Sequence, residues 1–224
     1  MSLLLAVLAV TLTSAQMPDP STEVVAPAWS VGVAGGVGLG FRLGQDSLQA
    51  ELRRTQASKG EPANAKLDNM PLAKRPLSVR VFADGNLQEF LSVGVDLGVL
   101  IWDPETTDNY LRTQLAKYGV VAVHNQQSSS ATAMRLGPRL CGKLPIAGDL
   151  SVEASMAGGV WLTVLKDSTP KPGWWVRPAV GAEFAVTDWL GIQLDLVYVY
   201  MPMFDKHPDA LRGVETEVGV ALSF

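Results

Sequence analysis

The sequence predicts an all-β fold: a closed, antiparallel, up-and-down β-barrel of eight strands that crosses a membrane. Three observations predict it. Segment after segment alternates between bulky apolar residues on one parity and glycine, alanine, serine or charge on the other. Successive strand side chains point to opposite faces, so each segment has one greasy face and one small or charged face. The greasy face carries almost no charge along its length, as contact with lipid demands. The segments are joined alternately by long and short connections, as in a barrel with long loops on one side of the membrane and tight turns on the other.

Composition is consistent with this class. The 224 residues are enough for one domain. Charged residues make up 18%, below the roughly 25% of soluble domains, and the mean hydropathy is +0.17. Yet no stretch after residue 16 approaches the roughly 18 consecutive apolar residues of a spanning helix. A net charge of -4 argues against a nucleic-acid footprint. At the N-terminus, Leu3 to Leu12 form a short apolar core followed by Thr13-Ser14-Ala15 and Gln16. That pattern predicts a signal peptide over 1–15, cut after Ala15, although only the terminal amine supplies positive charge before the core. Residues 16–27 form a polar lead, and 28–224 the barrel. Cys141 is the only cysteine, so it has neither a disulfide partner nor metal-ligand spacing. It is expected to be an inward-facing structural thiol.

The first strand runs from Ala28 to Leu43. Trp29, Val31, Val33, Val37, Leu39, Phe41 and Leu43 share one parity; Ser30, glycines, Ala34 and Arg42 share the other. Gly44 to Arg75 is a long polar connection. Within it Asp46 can cap a short helix through Leu48 and Leu52 that ends near Gly60. The second strand, Pro76 to Ala83, ends at Asp84-Gly85-Asn86, which reads as a tight turn. The third, Gln88 to Ile101, turns Leu91, Val93, Val95, Leu97, Val99 and Ile101 outward. Trp102 to Ser130 is a second long connection, with a helix expected from Thr107 or Asp108 through Leu111, Leu115 and Tyr118 to Gly119. The fourth strand spans Ala131 to Leu144, the fifth Leu150 to Leu165, the sixth Trp174 to Val186 and the seventh Ile192 to Tyr200. The eighth, Val214 to Phe224, alternates without a fault. Pro138 and Pro178 fall inside the fourth and sixth strands, where each removes a ladder donor; bulges, bends or a slipped register are expected there.

The minor face decides between a membrane barrel and a soluble one such as a lipocalin-like binder. Glycine weakens a solvated strand, but suits a narrow eight-stranded interior that side chains must fill without crowding. Six basic residues are expected to point inward: Arg42, Arg80, Arg135, Arg139, Lys143 and Arg177. So are six acids: Asp96, Glu153, Glu183, Asp195, Glu215 and Glu217. Buried charge is costly unless paired, so these predict an ion-pair network, with Arg42 meeting Glu215. The interior is then plugged. Aromatic residues near strand ends predict two interfacial girdles. Phe41, Trp102, Trp174, Tyr198 and Tyr200 lie toward the outer rim, and Trp29, Phe90, Trp189 and Phe224 toward the inner one.

On these patterns residues 28–224 resemble the small eight-stranded outer-membrane barrels of Gram-negative bacteria, the OmpA, OmpX and OmpW-like group. The resemblance implies residence in the outer membrane after export. It also implies that Val218, Val220, Leu222 and Phe224 are the signal read by the outer-membrane assembly machinery. No cell-wall-binding domain is expected beyond the barrel.

Chemistry is sparse. His124 and His207 read as solvated loop residues, no Ser-His-acid constellation can be assembled, and no metal or cofactor site is expected. Gly35 to Gly40 does not have dinucleotide-binding spacing. The first loop carries Arg53, Arg54, Lys59, Lys66, Lys74 and Arg75 against Asp46, Glu51, Glu61 and Asp68, a modest basic excess; the plain reading is a solvated loop, and contact with lipopolysaccharide phosphates is the alternative. The expectation is a non-enzymatic structural or surface-interaction barrel with an unidentified surface partner. The alternatives are a narrow, porin-like channel or transporter for small or apolar molecules and, further off, a lipid-modifying enzyme.

Overall fold

The computed structural model describes residues 29–44, 46–68, 70–71, 75–102, 116, 118, 131–165, 171–202, 204 and 210–224. The expected signal peptide and lead lie outside the described residues, as do both histidines and nearly all of the helix expected near residue 111.

Eight long strands carry the fold: β1 (Trp29–Leu43), β2 (Leu77–Gln88), β3 (Leu91–Trp102), β4 (Ala131–Ala147), β5 (Leu150–Leu165), β6 (Lys171–Thr187), β7 (Leu190–Pro202) and β8 (Ala210–Ser223). Each pairs antiparallel with its neighbour in the chain, and β8 pairs back onto β1 from Ser30↔Ser223 to Leu43↔Leu211. The sheet is therefore closed. A two-residue strand, Met70–Pro71, adds a rung to the loop end of β1.

Orientation follows the alternation. On β8, Val218 is 59% exposed and Glu217 1%. Valines, leucines and isoleucines of all eight strands form the outer wall, while arginines, aspartates and glutamates are buried within. That arrangement is the inverse of a soluble core. No described helix is long and apolar enough to cross a membrane.

The three short connections are tighter than the sequence suggests. Each is a two-residue turn: Glu89–Phe90, Gly148–Asp149 and Asp188–Trp189. Asp84-Gly85-Asn86 is not a turn but part of β2, because the inward parity of Ser78, Arg80 and Phe82 continues through Asp84. The ladder bulges just before each turn instead, between Asn86 and Gln88, Pro145 and Ala147, and Ala185 and Thr187. Bulges of this kind add local twist at a barrel rim.

Neither proline shifts the register. The β4–β5 pairing runs through Leu136↔Val160 and resumes at Arg139↔Ala157 in the same frame; β6–β7 does likewise between Val176↔Tyr200 and Ala179↔Val197. Pro138 and Pro178 each remain opposite a partner on their other neighbour, Val95 and Met156. The missing N–H therefore interrupts one ladder locally and leaves the frame intact.

The irregularity that changes the reading is in β1. Its register with β8 shifts between Leu39 and Arg42, and Gly40 holds a φ of 61°, a left-handed conformation that favours glycine. The extra residue reverses the parity beyond it. Phe41 turns into the lumen and is buried, while Arg42 turns out and is exposed.

Beyond β1 the first long connection folds on itself. Helix α1 (Asp46–Ser58) ends where Gly60 takes a φ of 74° and the Glu61 amide reaches back to the Gln56 carbonyl at 3.0 Å, the αL stop of a Schellman motif.

Candidate functional site

The inward side chains sort by height. Toward the turn end, Arg139 on β4 pairs with Asp84 on β2 and Glu153 on β5. Lys143 pairs with Glu183, and its side chain is 42% exposed at the mouth. Gln193 Nε2 joins the two pairs, donating to Glu183 Oε2 at 2.9 Å and to Glu153 Oε2 at 3.3 Å. In the middle, Arg80 Nε donates to Glu217 Oε2 at 2.6 Å and Nη2 to Asp195 Oδ2 at 2.7 Å. Asp96 Oδ2 lies 3.7 Å from Arg80 and 3.9 Å from Arg177, which also pairs with Glu217. The Phe82 ring separates the tiers, with the Arg80 and Arg139 guanidinium carbons 4.6 and 4.5 Å from its centroid. That is cation–π distance on both sides.

Higher still, Arg135 sits 5.6 Å from the Trp175 ring. Above it the lumen becomes apolar. Phe41, Leu100, Trp102, Trp161, Trp175, Val197, Val199, Met201 and Leu211 form one buried cluster. The indole nitrogens are satisfied by wall carbonyls: Trp161 donates to Trp174 and Pro202 at 2.9 and 3.0 Å, and Trp175 donates to Val160 at 3.0 Å. Buried tryptophan needs such a partner.

Of the twelve residues expected in the interior network, eleven face inward and Arg42 does not. It lies beside Arg212 on the outer face, its register partner on β8, while the register partner of Glu215 on β1 is Gly38. Asp84 joins the network in its place. The signs therefore no longer balance: five basic side chains face seven acidic ones. Arg135 and Glu215 make no hydrogen bond, so the ion pairs run through the other nine residues and Asp84.

The girdle also changes. Trp29, Trp189 and Phe224 are exposed at the turn end, with Phe90 half-buried in its turn; Trp174, Tyr198 and Tyr200 mark the loop end. Phe41 and Trp102 belong to the plug, being 3% and 8% exposed. The bulge turned the former, and the latter continues the inward parity of Gly98 and Leu100. Cys141 is buried. Val218, Val220, Leu222 and Phe224 all face outward.

Several residues here escaped the sequence reading. Asp84 was hidden by its turn-like neighbours, though its parity with Arg80 marks it. Gln193 shares the parity of Asp195. Trp161 and Trp175 lie on the inward parity of their strands, a signal masked by the expectation of a small or charged interior.

A second candidate surface lies outside the barrel. Leu48 and Leu52 of α1 pack with Ala65, Leu67 and Tyr118. Gln56 and Gln49 accept from the Ala65 and Leu67 amides at 3.0 and 2.9 Å. The Tyr118 hydroxyl accepts from the Lys66 amide at 2.8 Å and donates to its carbonyl at 2.7 Å. The result is a ledge with its own small core. Arg53, Arg54, Lys59, Lys66, Asp46, Glu51, Glu61 and Asp68 are exposed on it, four of each sign, and Arg75 is exposed where the connection enters β2; Lys74 lies outside the described residues. Among the described residues no group of three or more His, Cys, Asp or Glu is placed to hold a metal.

No family model matches the sequence, and no curated protein is similar to it. The fold is similar to that of Neisserial surface protein A, with a TM-score of 0.57 and 11% identity over 89% of this chain and 99% of that one. The outer membrane protein OprG of Pseudomonas aeruginosa matches with a TM-score of 0.49 and 9% identity, covering 89% of this chain and 96% of that one. The attachment invasion locus protein Ail of Yersinia pestis matches with a TM-score of 0.47 and 10% identity, covering 88% and 97%. At such identities the likeness is one of fold, and the first of these carries it. By that fold, and by its outward apolar wall, the chain is a closed eight-stranded β-barrel of the kind that small outer-membrane proteins have.

Proposed function

We propose that this barrel is a sealed, non-enzymatic membrane anchor whose working surface is its outer loops. The observation that carries the reading is the apolar plug. Eight strands leave an interior just wide enough for side chains, and here three tryptophans, Phe41 and the aliphatic residues around them occupy its loop end above a ladder of paired charge. A solute path needs a continuous polar lining, and that cluster interrupts one. The experiment is single-channel recording of the purified barrel in planar bilayers. Silence is the expected result, and steady conductance steps would replace this reading with a channel.

The ledge around α1 is built to present a surface, since a loop that packs its own core holds its exposed side chains in place. Its exposed basic residues suit lipopolysaccharide phosphates, and its mixed charge suits a protein partner. Mass spectra of lipid A from cells with and without the gene should be identical; a modified species would establish an enzyme. During biogenesis the outward series Val218, Val220, Leu222 and Phe224 engages the assembly machinery. Deleting Phe224 should reduce the heat-modifiable folded species in the outer-membrane fraction.

A further inference from the structure

The seam that closes the barrel brings two like charges together. Arg42 of β1 stands directly opposite Arg212 of β8. Both are exposed, and both lie on the outer face, since their strand neighbours Phe41 and Leu211 are buried in the lumen. Arg42 reaches that face only because of the bulge at Gly40. A third arginine, Arg75, is exposed beside Pro76, whose carbonyl accepts from the Gly38 amide at 2.7 Å. Among the described residues, none of the three has an acidic partner or a side-chain hydrogen bond.

Like charges directly opposite one another weaken a strand pair. The bulge itself is accounted for by Phe41 entering the lumen; the exposed arginine pair that it leaves outside is relieved when an anion sits between the two guanidinium groups.

The height of the pair indicates which anion. Leu222 is the last outward residue at the turn end of β8, and Arg212 lies ten residues above it. At about 3.4 Å per residue and a tilt of about 40°, that is about 26 Å along the membrane normal. The apolar band of such barrels is about 25 Å tall, so Arg212 emerges at the outer headgroup level. The same row continues into the girdle. Tyr200 is the register partner of Arg212 on its other side, and its ring meets Trp174 edge-on at 5.4 Å. Tyrosine and tryptophan mark that interface. Two guanidinium forks at this depth match a phosphate's oxygens.

We propose that Arg42 and Arg212, with Arg75 beside them, bind the phosphate of a phosphorylated glycolipid headgroup in the outer leaflet. The proposal rests on the reading of the chain as an outer-membrane barrel. The test is native mass spectrometry of the detergent-extracted full chain, titrated separately with bisphosphorylated lipid A, dephosphorylated lipid A and inorganic phosphate. Wild type should retain the bisphosphorylated lipid at least about tenfold more tightly than the dephosphorylated one. Arg212→Glu should abolish that preference. It also replaces a repulsive cross-strand pair with an attractive one, so the barrel should stay folded, read as heat-modifiable gel mobility; Arg42→Gln serves as a second variant. Equal retention by wild type and both folded variants would overturn the site. Full competition by inorganic phosphate at the lipid's own concentration would overturn the lipid assignment. Loss of heat-modifiable mobility in wild type itself would instead remove the barrel reading on which the site depends.

Discussion

Phe82 lies over Gly32 so closely that a Cβ on the glycine would stand 2.1 Å from the ring's Cζ. The hydrogen at that position is what lets an aromatic ring enter a lumen this narrow and insulate two arginines from each other. Gly32→Ala should destabilise the barrel by about 1–3 kcal/mol, the usual cost of overpacking. Urea unfolding of the protein in lipid vesicles reads it. Phe82→Leu should remove most of that penalty, and simple additivity of the two changes would count against the contact. Arg80 is the other residue on which much depends, since it joins β2 to β7 and β8 through Asp195 and Glu217. Arg80→Met leaves those carboxylates short of their counter-ion in a buried site. Losing one partner from a buried pair typically costs about 3–5 kcal/mol, and the same unfolding measurement should show a loss of that order.

Among the elements, β1 shows how much one residue can redirect. A side-chain period of two means that a single inserted residue moves everything beyond it to the other face. The bulge at Gly40 thus adds Phe41 to the buried luminal cluster and sends Arg42 to the outer face. The prolines show the opposite case, in which a lost donor breaks a rung but inserts no residue, so the frame survives. The α1 ledge depends on a contact between elements distant in sequence, because Tyr118 hydrogen-bonds both backbone groups of Lys66. Tyr118→Phe removes both bonds and should loosen the ledge by about 1–2 kcal/mol. Limited proteolysis of the intact barrel should then cut within 59–68 faster than in wild type; an unchanged rate would mean that apolar packing alone holds the segment.

Taken whole, the barrel is a column of graded polarity: paired charge from the turn end to the middle, then aromatic and aliphatic residues at the loop end. On the proposed reading the plug seals it by volume and not by charge. Trp161→Ala together with Trp175→Ala should therefore open a path and produce conductance steps in planar bilayers where wild type is silent. Continued silence in a folded double variant would place the seal lower, at the ion ladder.

The eight two-faced strands, the alternation of connections and the helix after Asp46 were all legible in the amino-acid order, because each rests on a short local period. The inward parity of eleven charged residues was legible for the same reason. What local order could not show is where that period breaks. Whether Gly40 bulges, and whether Asp84 turns or continues, depends on the strand across from it. Which arginine meets which carboxylate depends on the stagger of a closed sheet, which brings together residues more than a hundred positions apart. Sequence by itself determined that one face meets lipid and the other does not; only closure of the barrel decided that Arg42 lies outside, Asp84 inside and tryptophan at the top, because height and handedness are properties of the assembled wall and not of any single strand.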